Sequence, residues 1–186
     1  TAQTGMDNDA STMQVGDRNE AAIQQGNFGG GAVQSNNAFA SISQDGNRNS
    51  ASVNQRQGFS SGSAYSENII QQIGNLNEGL LTTFNGGATG NIYQMGDRNY
   101  ASGRQSGKAG NDIDIDQMTN RNSAIVDQLS NKGSTASIMQ MGSDRNSADI
   151  YQRGKNNDAQ VIQDGFRNTA DVDQDGIGTN VTNDVT

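Results

Sequence analysis

Apolar and polar residues alternate with a period of two along most of the chain. In one stretch the alternate positions are Asn111, Ile113, Ile115 and Gln117, and every residue between them is aspartate. Strict alternation is typical of a β-strand with one buried face, whereas an amphipathic helix has a period of 3.6 residues. The stretch therefore predicts a strand that buries Asn, Ile and Gln side chains on one face and turns acidic side chains toward solvent.

The motif Gln-x-Gly-x-x-Asn separates successive alternating stretches. Its Gln stands at positions 14, 44, 72, 94, 117, 140 and 163, so the spacings are 30, 28, 22, 23, 23 and 23 residues. One copy has Thr119 in place of the glycine, and the copy that begins at Gln140 has one extra residue before its Asn. A fixed period of this length is typical of repeat architectures. The chain thus predicts seven units, each made of a strand, a turn, a second strand and a second turn.

The polar residues that recur on the buried face are the candidate functional residues, and their predicted role is structural. The predicted ladder and polymerisation residues are Gln14, Asn19, Gln44, Asn49, Gln72, Asn77, Gln94, Asn99, Gln117, Asn122, Gln140, Asn146, Gln152, Gln163, Asn168 and Gln174. The predicted turn glycines are Gly16, Gly46, Gly74, Gly96, Gly142 and Gly165.

A single unit cannot be stable alone. Ordering its backbone costs roughly 1–2 kcal/mol per residue, and two buried aliphatic side chains return about 1.5–3 kcal/mol each. Parallel stacking supplies the rest, because each backbone pairs with the next unit and identical Asn and Gln side chains bond along the stack. The fold class that follows is all-β: a β-solenoid of stacked strand-turn-strand rungs with parallel in-register ladders and one repeat of 22–23 residues per rung.

The repeats define the predicted domain organisation. Residues 8–174 form a single β-solenoid domain, with insertions at about 26–37 and 56–65 that we interpret as longer loops. Residues 1–7 are an N-terminal segment, and residues 175–186 form a C-terminal tail with the pattern of a strand. The terminal units carry no recognisable cap, so we expect open strand edges at both ends.

Composition excludes most other classes of function. The chain has no Cys and no His, which removes thiolate chemistry, the commonest general base and the commonest metal ligand. We therefore expect no enzyme activity, no catalytic or cofactor-binding residues, no cofactor and no metal site. The net charge of −8 argues against nucleic-acid binding, which needs clustered Lys and Arg. No apolar run is long enough to span a bilayer, so we expect no membrane insertion.

Two sets of charged residues leave alternatives open. An Arg precedes most of the motif Asn residues, at Arg18, Arg48, Arg98, Arg121, Arg145 and Arg167. Stacked at the turns, these side chains form either a solvated column or a basic stripe that contacts matrix polysaccharide or acidic surfaces. The aspartates between Asn111 and Gln117, and those at 171 and 173, offer oxygen atoms that calcium prefers. They lack the spacing of an ion-binding loop, so we interpret them as a solvated acidic face.

The repeats resemble those of the curlin-repeat family, which includes the major subunit of curli fibres. The family pattern, Ser-x5-Gln-x-Gly-x-x-Asn-x5-Gln, is matched at Ser134, Gln140, Gly142, Asn146 and Gln152, apart from one inserted turn residue. A second copy runs from Ser66, but Thr83 replaces its last Gln. The leading Ser is replaced in other copies, for example by Asn111 and Asn157. The resemblance covers roughly residues 8–174.

The resemblance implies a secreted, self-assembling subunit of an extracellular amyloid-like fibre in biofilm matrix and adhesion. It also implies that the partner is the chain itself in a homopolymer, together with a nucleator subunit and an outer-membrane secretion pore. The first residues lack the charged start and apolar core of a signal peptide, so we expect the sequence to be a mature form. The alternatives are a nucleator-like minor subunit and a monomeric β-helix that binds polysaccharide or ice.

Overall fold

The computed structural model of the chain is built from β-strands. It describes residues 1–3, 5–6, 8–26, 35–56, 65–84, 87–107, 109–177 and 180–185. The predicted insertions fall mainly on residues 27–34 and 57–64, which lie outside this range. Among the described residues there is no helix, and hence none that could cross a bilayer. In chain order the strands are β1 (Ala2–Gln3), β2 (Gly5–Met6), β3 (Asp9–Val15), β4 (Glu20–Gln25), β5 (Ser35–Asn36), β6 (Ala38–Asp45), β7 (Ser50–Arg56), β8 (Ser66–Ile73), β9 (Glu78–Phe84), β10 (Ala88–Met95), β11 (Tyr100–Ser106), β12 (Asn111–Gln117), β13 (Ser123–Lys132), β14 (Thr135–Gly142), β15 (Ser147–Lys155), β16 (Asp158–Gly165), β17 (Thr169–Ile177) and β18 (Asn180–Val185).

The described residues form two parallel sheets of eight strands each and a small third sheet of β2 and β5. The first sheet has the order β3-β6-β8-β10-β12-β14-β16-β18, and the second has the order β1-β4-β7-β9-β11-β13-β15-β17. The chain passes from one sheet to the other at each Gly-containing turn, so one strand of each sheet makes a rung. The seven rungs are β3–β4, β6–β7, β8–β9, β10–β11, β12–β13, β14–β15 and β16–β17.

Like residues lie next to like residues along the stack. Gln94 pairs in register with Gln72 in the preceding rung and with Gln117 in the following rung. Ala124 likewise pairs with Ala101 and Ala148. The predicted β-solenoid with parallel, in-register ladders is therefore confirmed.

The core lies between the two sheets and consists of Ala, Ile, Val and Leu side chains. Ile70, Ile92 and Ile115 of the first sheet are each at most 1 % exposed. The second sheet contributes Val126 and Ile150, which are equally buried. Each such side chain contributes about 1.5–3 kcal/mol of burial free energy. The core is thin between the sheets, so its total burial accumulates rung by rung along the stack.

Two buried glycines compensate for one larger core residue. Leu81 stands in the second sheet where most rungs have Val or Ile, and Gly103 pairs with it in the next rung. A Cβ at Gly103 would lie 2.8 Å from Leu81 Cδ2, and a Cβ at Gly90 of the first sheet would lie 3.1 Å from the same atom. These glycines therefore make room for the longer side chain of Leu81.

Candidate functional site

A continuous chain of amide–amide hydrogen bonds runs along the first sheet. The Nε2 of each motif Gln donates to the Oε1 of the next, from Gln14 to Gln163, over distances of 2.7–2.9 Å. From Gln44 onward these side chains are at most 1 % exposed. Each amide has both a donor and an acceptor, so a column of them satisfies its own hydrogen bonds while buried.

The same Gln side chains also connect the two sheets. The Nε2 of Gln140 donates to the backbone carbonyl of Ser123, 2.9 Å away in the second sheet of the preceding rung. Gln94 bonds in the same way to Glu78 at 3.0 Å. The second N–H of the amide is thus used, and each motif Gln from Gln44 to Gln163 connects neighbouring rungs and opposite sheets.

A second Gln column follows the second sheet. Of its members, the sequence-based site set contained only Gln152 and Gln174, whose amides are bonded at 2.8 Å. The structure adds further members with the same contacts, namely Gln3, Gln25, Gln55, Gln105 and Gln128. Gln25, Gln55, Gln105 and Gln128 each lie 11 residues after the motif Gln of their unit, so the period-two alternation could have identified them. Gln3 lies in the N-terminal segment, before the first motif.

Thr83 interrupts this second column between Gln55 and Gln105. Its hydroxyl is too short to continue the amide chain fully, and Asn68 of the facing strand completes the contact with an Nδ2–Oγ1 distance of 3.0 Å. Thr83 Oγ1 in turn donates to Gln105 Oε1 at 3.3 Å. Asn68 is completely buried, and the Asn–Thr pair leaves its amide with a hydrogen-bond partner.

The motif Asn residues stack differently from the predicted side-chain ladder. The backbone N–H of Asn99 donates to Oδ1 of Asn77 in the preceding rung, and the N–H of Asn122 donates to Oδ1 of Asn99, both at 3.0 Å. The amide nitrogen of Asn77 donates to the carbonyl of Gly96 at 2.7 Å. The Asn side chain is one methylene shorter than Gln, so from the start of a strand it reaches backbone groups of the adjacent turn. The same contacts hold the remaining motif positions, Asn19, Asn49, Asn146 and Asn168.

The turn glycines are required by the stack as well as by the turn. Gly46 has φ of 121°, and a Cβ there would overlap the carbonyl oxygen of Gly74 in the next rung. The same left-handed conformation occurs at the other predicted turn glycines, Gly16, Gly74, Gly96, Gly142 and Gly165. Where Thr119 replaces the glycine, its hydroxyl donates to the carbonyl of Ser143 and accepts from Asn122.

The Arg residues before the motif Asn have a backbone role that charge alone did not indicate. All of them have φ between 57° and 68°, and Leu76 adopts the same conformation at the equivalent position. The Asp or Asn before Leu76 and before every Arg except Arg167 forms a further column: Asn47 accepts the backbone N–H of Asp17 at 2.8 Å, and Asp97 accepts that of Asn75 at 2.8 Å. The sequence signal for this column was the recurrent Asp or Asn at that position.

The acidic face on β12 is only partly solvated. Partial burial between neighbouring rungs raises the pKa of Asp114, and the negative charges of Asp116 and Asp112 raise it further. Burial also raises the pKa of Asp116. On β15, burial and then the charge of Asp171 raise the pKa of Asp149. Among the described residues, no group of three or more acidic side chains is arranged to hold a metal ion.

Open strand edges lie at both ends of the stack. At the N-terminal end, β3 is the edge strand of the first sheet and β1 that of the second. At the C-terminal end, the edge strands are β18 and β17. Within the described part of the chain no strand covers these four edges, so their outer backbone groups remain available for pairing.

Comparison with known families decides what kind of stack this is. Residues 109–142 and 144–176 each match the family model of the Curlin associated repeat. Two curlin-associated repeats therefore lie in the C-terminal half of the chain. Its first match covers β12 to β14, and its second runs from before β15 into β17. No curated protein and no solved structure matches the chain.

Proposed function

We propose that the chain is a self-assembling structural subunit of an extracellular, curli-type amyloid fibre. Curlin repeats belong to a family of structural fibre subunits rather than enzymes. The observation that carries the proposal is the in-register stacking of two sheets whose outermost strands have no further partner strand within the described part of the chain. Copies join head to tail when the C-terminal end of one chain pairs with the N-terminal end of the next.

Templated strand addition is the mechanism that these ends support. Each strand–strand interface inside the molecule is parallel and in register, for example over the seven pairs from Ala88–Asn111 to Gln94–Gln117. A joint between copies repeats this interface, and the backbone hydrogen bonds drive the addition. A head-to-tail contact that does not close by rotation produces an open filament.

The amide columns make the fibre end selective for the same chain. The Gln column of the second sheet reaches both of its edge strands, with Gln3 in β1 and Gln174 in β17, and a second copy carries the same column at the same spacing. A chain without it leaves buried amides unpaired at the joint, at roughly 1–3 kcal/mol for each group. The ladder residues are thus proposed as polymerisation residues as well as core residues.

The location and further partners follow from the family. The proposed site of the fibre is the cell surface and biofilm matrix, outside the cell. Its proposed partners are a nucleator subunit, an outer-membrane secretion pore and, through the Arg column, matrix polysaccharide. Within this proposal the chain is the main fibre subunit, and a nucleator-like minor subunit is the alternative.

Seeded assembly tests this proposal. The purified chain is expected to pass from a disordered soluble form to filaments after a lag, and fragments of its own fibres should abolish that lag. Strand content measured by circular dichroism should rise together with filament mass. The control uses equal masses of an unrelated amyloid as seeds, which should leave the lag unchanged. A monomer that keeps complete strand content for days at high concentration would instead identify a monomeric binding module.

A further inference from the structure

Four of the six methionines lie together on the outward face of the first sheet. Met95 ends β10, Met118 directly follows β12, and Met139 and Met141 lie in β14. These three strands are neighbours in the sheet, so the four thioethers come from three consecutive rungs. Met95 and Met118 are 39 % and 38 % exposed. The chain therefore concentrates most of its sulfur atoms in one exposed area, which we call the methionine patch.

The in-register stacking places three of these residues in one column. Met95, Met118 and Met141 directly follow the motif Gln of their rungs, and those Gln residues pair with one another. The backbone N–H of Met118 donates to the carbonyl of Gln140 at 2.9 Å, which continues the same register one residue further. Neighbours in the column are thus about 4.8 Å apart at their backbones, and Met139 lies about 6.6 Å from Met141 along the strand.

The surroundings of the methionine patch favour a cation. Asp116 lies on the same face, in register with Met139 on one side and with Tyr93 on the other, and its carboxylate brings negative charge to the patch. The hydroxyl of Tyr93 lies 4.0 Å from Sδ of Met95, so this thioether leans back along its strand toward the row that contains Asp116. Strands β10, β12 and β14 contain no Lys or Arg.

The ligand chemistry of the patch is soft. Thioether sulfur selects Cu(I), whereas carboxylates suit hard divalent ions. The expectation of no metal site was based on the absence of Cys and His, which removes thiolate and imidazole ligands but not thioethers. A methionine side chain is unbranched and rotates about three bonds, so sulfur atoms that start in neighbouring strands can turn toward one ion.

We propose that the methionine patch binds one soft monovalent cation, Cu(I). Met118 is the central ligand, because Met95 and Met141 lie on either side of it, and Met139 approaches from the row of Asp116. The ligands come from three strands, so the full site exists only where the rungs are stacked. The cation therefore binds the stacked chain in preference to the unfolded chain and stabilises the stack. This inference needs only the stack within one chain, and it is independent of the proposed fibre.

Competition with a chromogenic Cu(I) chelator tests the site. The probe is Cu(I), kept reduced by ascorbate without oxygen, and the protein is used in the state with full strand content by circular dichroism, filament or monomer. The unsubstituted chain should take one Cu(I) per chain from the chelator. Met118→Leu/Met141→Leu should bind more than about tenfold more weakly, since loss of even an outer partner of a metal ligand costs about 10–100-fold. Leu conserves the volume of Met, so strand content should be unchanged.

Met13→Leu is the matched control for this measurement. Met13 is 60 % exposed on the outward face of the same sheet, but it pairs in register with Ser43 rather than with another methionine. Its replacement should leave the affinity for Cu(I) unchanged. The site is overturned if the unsubstituted chain takes no Cu(I), if the double variant binds as tightly as the unsubstituted chain, or if the control loses as much as the double variant. Seeded assembly is measured without metal, so each of these results leaves the fibre proposal standing.

Protection from oxidation gives a second measurement at single residues. Hydrogen peroxide transfers one oxygen atom to a methionine sulfur, which becomes a sulfoxide while the peroxide is reduced to water. A sulfur atom whose lone pair is bound to a metal reacts more slowly. With Ag(I) as a soft monovalent probe, oxidation of Met118, Met139 and Met141 in the unsubstituted chain, read by peptide mass spectrometry, should slow several-fold, and that of Met13 should not. Unprotected patch residues, or equal protection of Met13, would overturn the site even if the leucine variants failed to fold.

Discussion

A single ladder amide takes part in contacts with both neighbouring rungs and with both sheets. Gln140 accepts a hydrogen bond from Gln117, donates one to Gln163 and donates another to the backbone of Ser123. Its side chain has no measurable exposure, so water cannot replace a lost partner. The polar core therefore acts as a set of coupled contacts, in which each residue completes the bonding of the next.

The first prediction concerns the loss of one such amide. Gln140→Ala removes the acceptor of Gln117 and the donor of Gln163, and Asn146→Ala removes the acceptor of the Asn168 backbone N–H. Each orphaned buried group costs roughly 1–3 kcal/mol. Both variants should elongate wild-type seeds more slowly and should release monomer from fibres at lower denaturant concentration.

Ser137→Ala is the matched control, because Ser137 lies in the same strand as Gln140 on the outward face. Its elongation rate and denaturant midpoint should stay close to those of the wild type. Equal losses for Gln140→Ala, Asn146→Ala and Ser137→Ala would mean that the inward and outward faces of the strand are assigned the wrong way round.

The left-handed turn residues show what residue identity alone could not reveal. A non-glycine residue with positive φ is uncommon, and Asn or Asp is the usual choice, yet here Arg98 and Leu76 have φ of 61° and 60°. In the stack, the backbone N–H of Arg98 donates to the carbonyl of Asn75 in the preceding rung. The conformation is thus imposed by rung-to-rung bonding, and no local sequence preference predicts it.

On the outward face of strand β12, three carboxylates alternate with the inward-facing residues. In-register neighbours cover them on both sides, with Asn91 and Ser137 beside Asp114 and with Tyr93 and Met139 beside Asp116. This cover withdraws water from the charged form, which is why the pKa values of Asp114 and Asp116 are raised.

The second prediction is that acid stabilises the assembled strand. A carboxyl whose pKa is higher in the folded state binds its proton more tightly there, so stability falls as pH rises from the ordinary Asp value of about 3.9 through the raised value. The Asp114 and Asp116 carboxyls should therefore make fibres more resistant to denaturant near pH 4 than at pH 7. The variant Asp114→Asn/Asp116→Asn should be more stable at pH 7 and should lose part of the pH dependence.

The control for this measurement is Asp45→Asn, which removes one exposed carboxylate and leaves the β12 pair intact. It should keep the pH dependence that the double variant loses. If the double variant and the control respond to pH alike, desolvation of Asp114 and Asp116 does not shape the stability of the stack.

At the scale of a strand, the sequence predicted which side chains point inward but not which residues of adjacent rungs contact each other. Alternation identified Ile113 and Ile115 as inward-facing from the chain alone, and the structure buries both. The fit between Leu81 and Gly103, in contrast, joins residues in adjacent rungs whose contact exists only after stacking. A glycine in the aliphatic column looks like a defect in its own unit and becomes a packing complement only beside its neighbour.

The whole molecule is a one-dimensional stack in which each rung contacts only the rungs beside it. Stability in such an architecture is close to a sum of rung terms and nearest-neighbour terms. The period of the motif predicted this stacked arrangement. It could not predict the pairing of β1 with β4 or of β18 with β16, because β1 and β18 lack the motif.

The third prediction compares the loss of an interior rung with the loss of the C-terminal end. Deletion of residues 88–110 removes β10 and β11 and joins Gly87 directly to Asn111. Gly87 and Gly110 occupy equivalent turn positions, with φ of 83° and 91°, so the shortened chain can close on itself with one rung fewer. Deletion of residues 157–186 removes β16, β17 and β18, and with them the edges proposed to receive the next copy.

Interior rungs find both neighbours within their own chain, whereas terminal rungs complete their pairing only through another copy. Elongation from wild-type seeds, measured at matched concentrations, should therefore fall further for the 157–186 deletion than for the 88–110 deletion. The interior deletion keeps both open ends and should mainly lower the denaturant midpoint of the fibre. If the interior deletion is the more damaging to elongation, end-to-end templating through the C-terminal rung is wrong. Lateral association of the outward sheet faces would then be the better account of how copies meet.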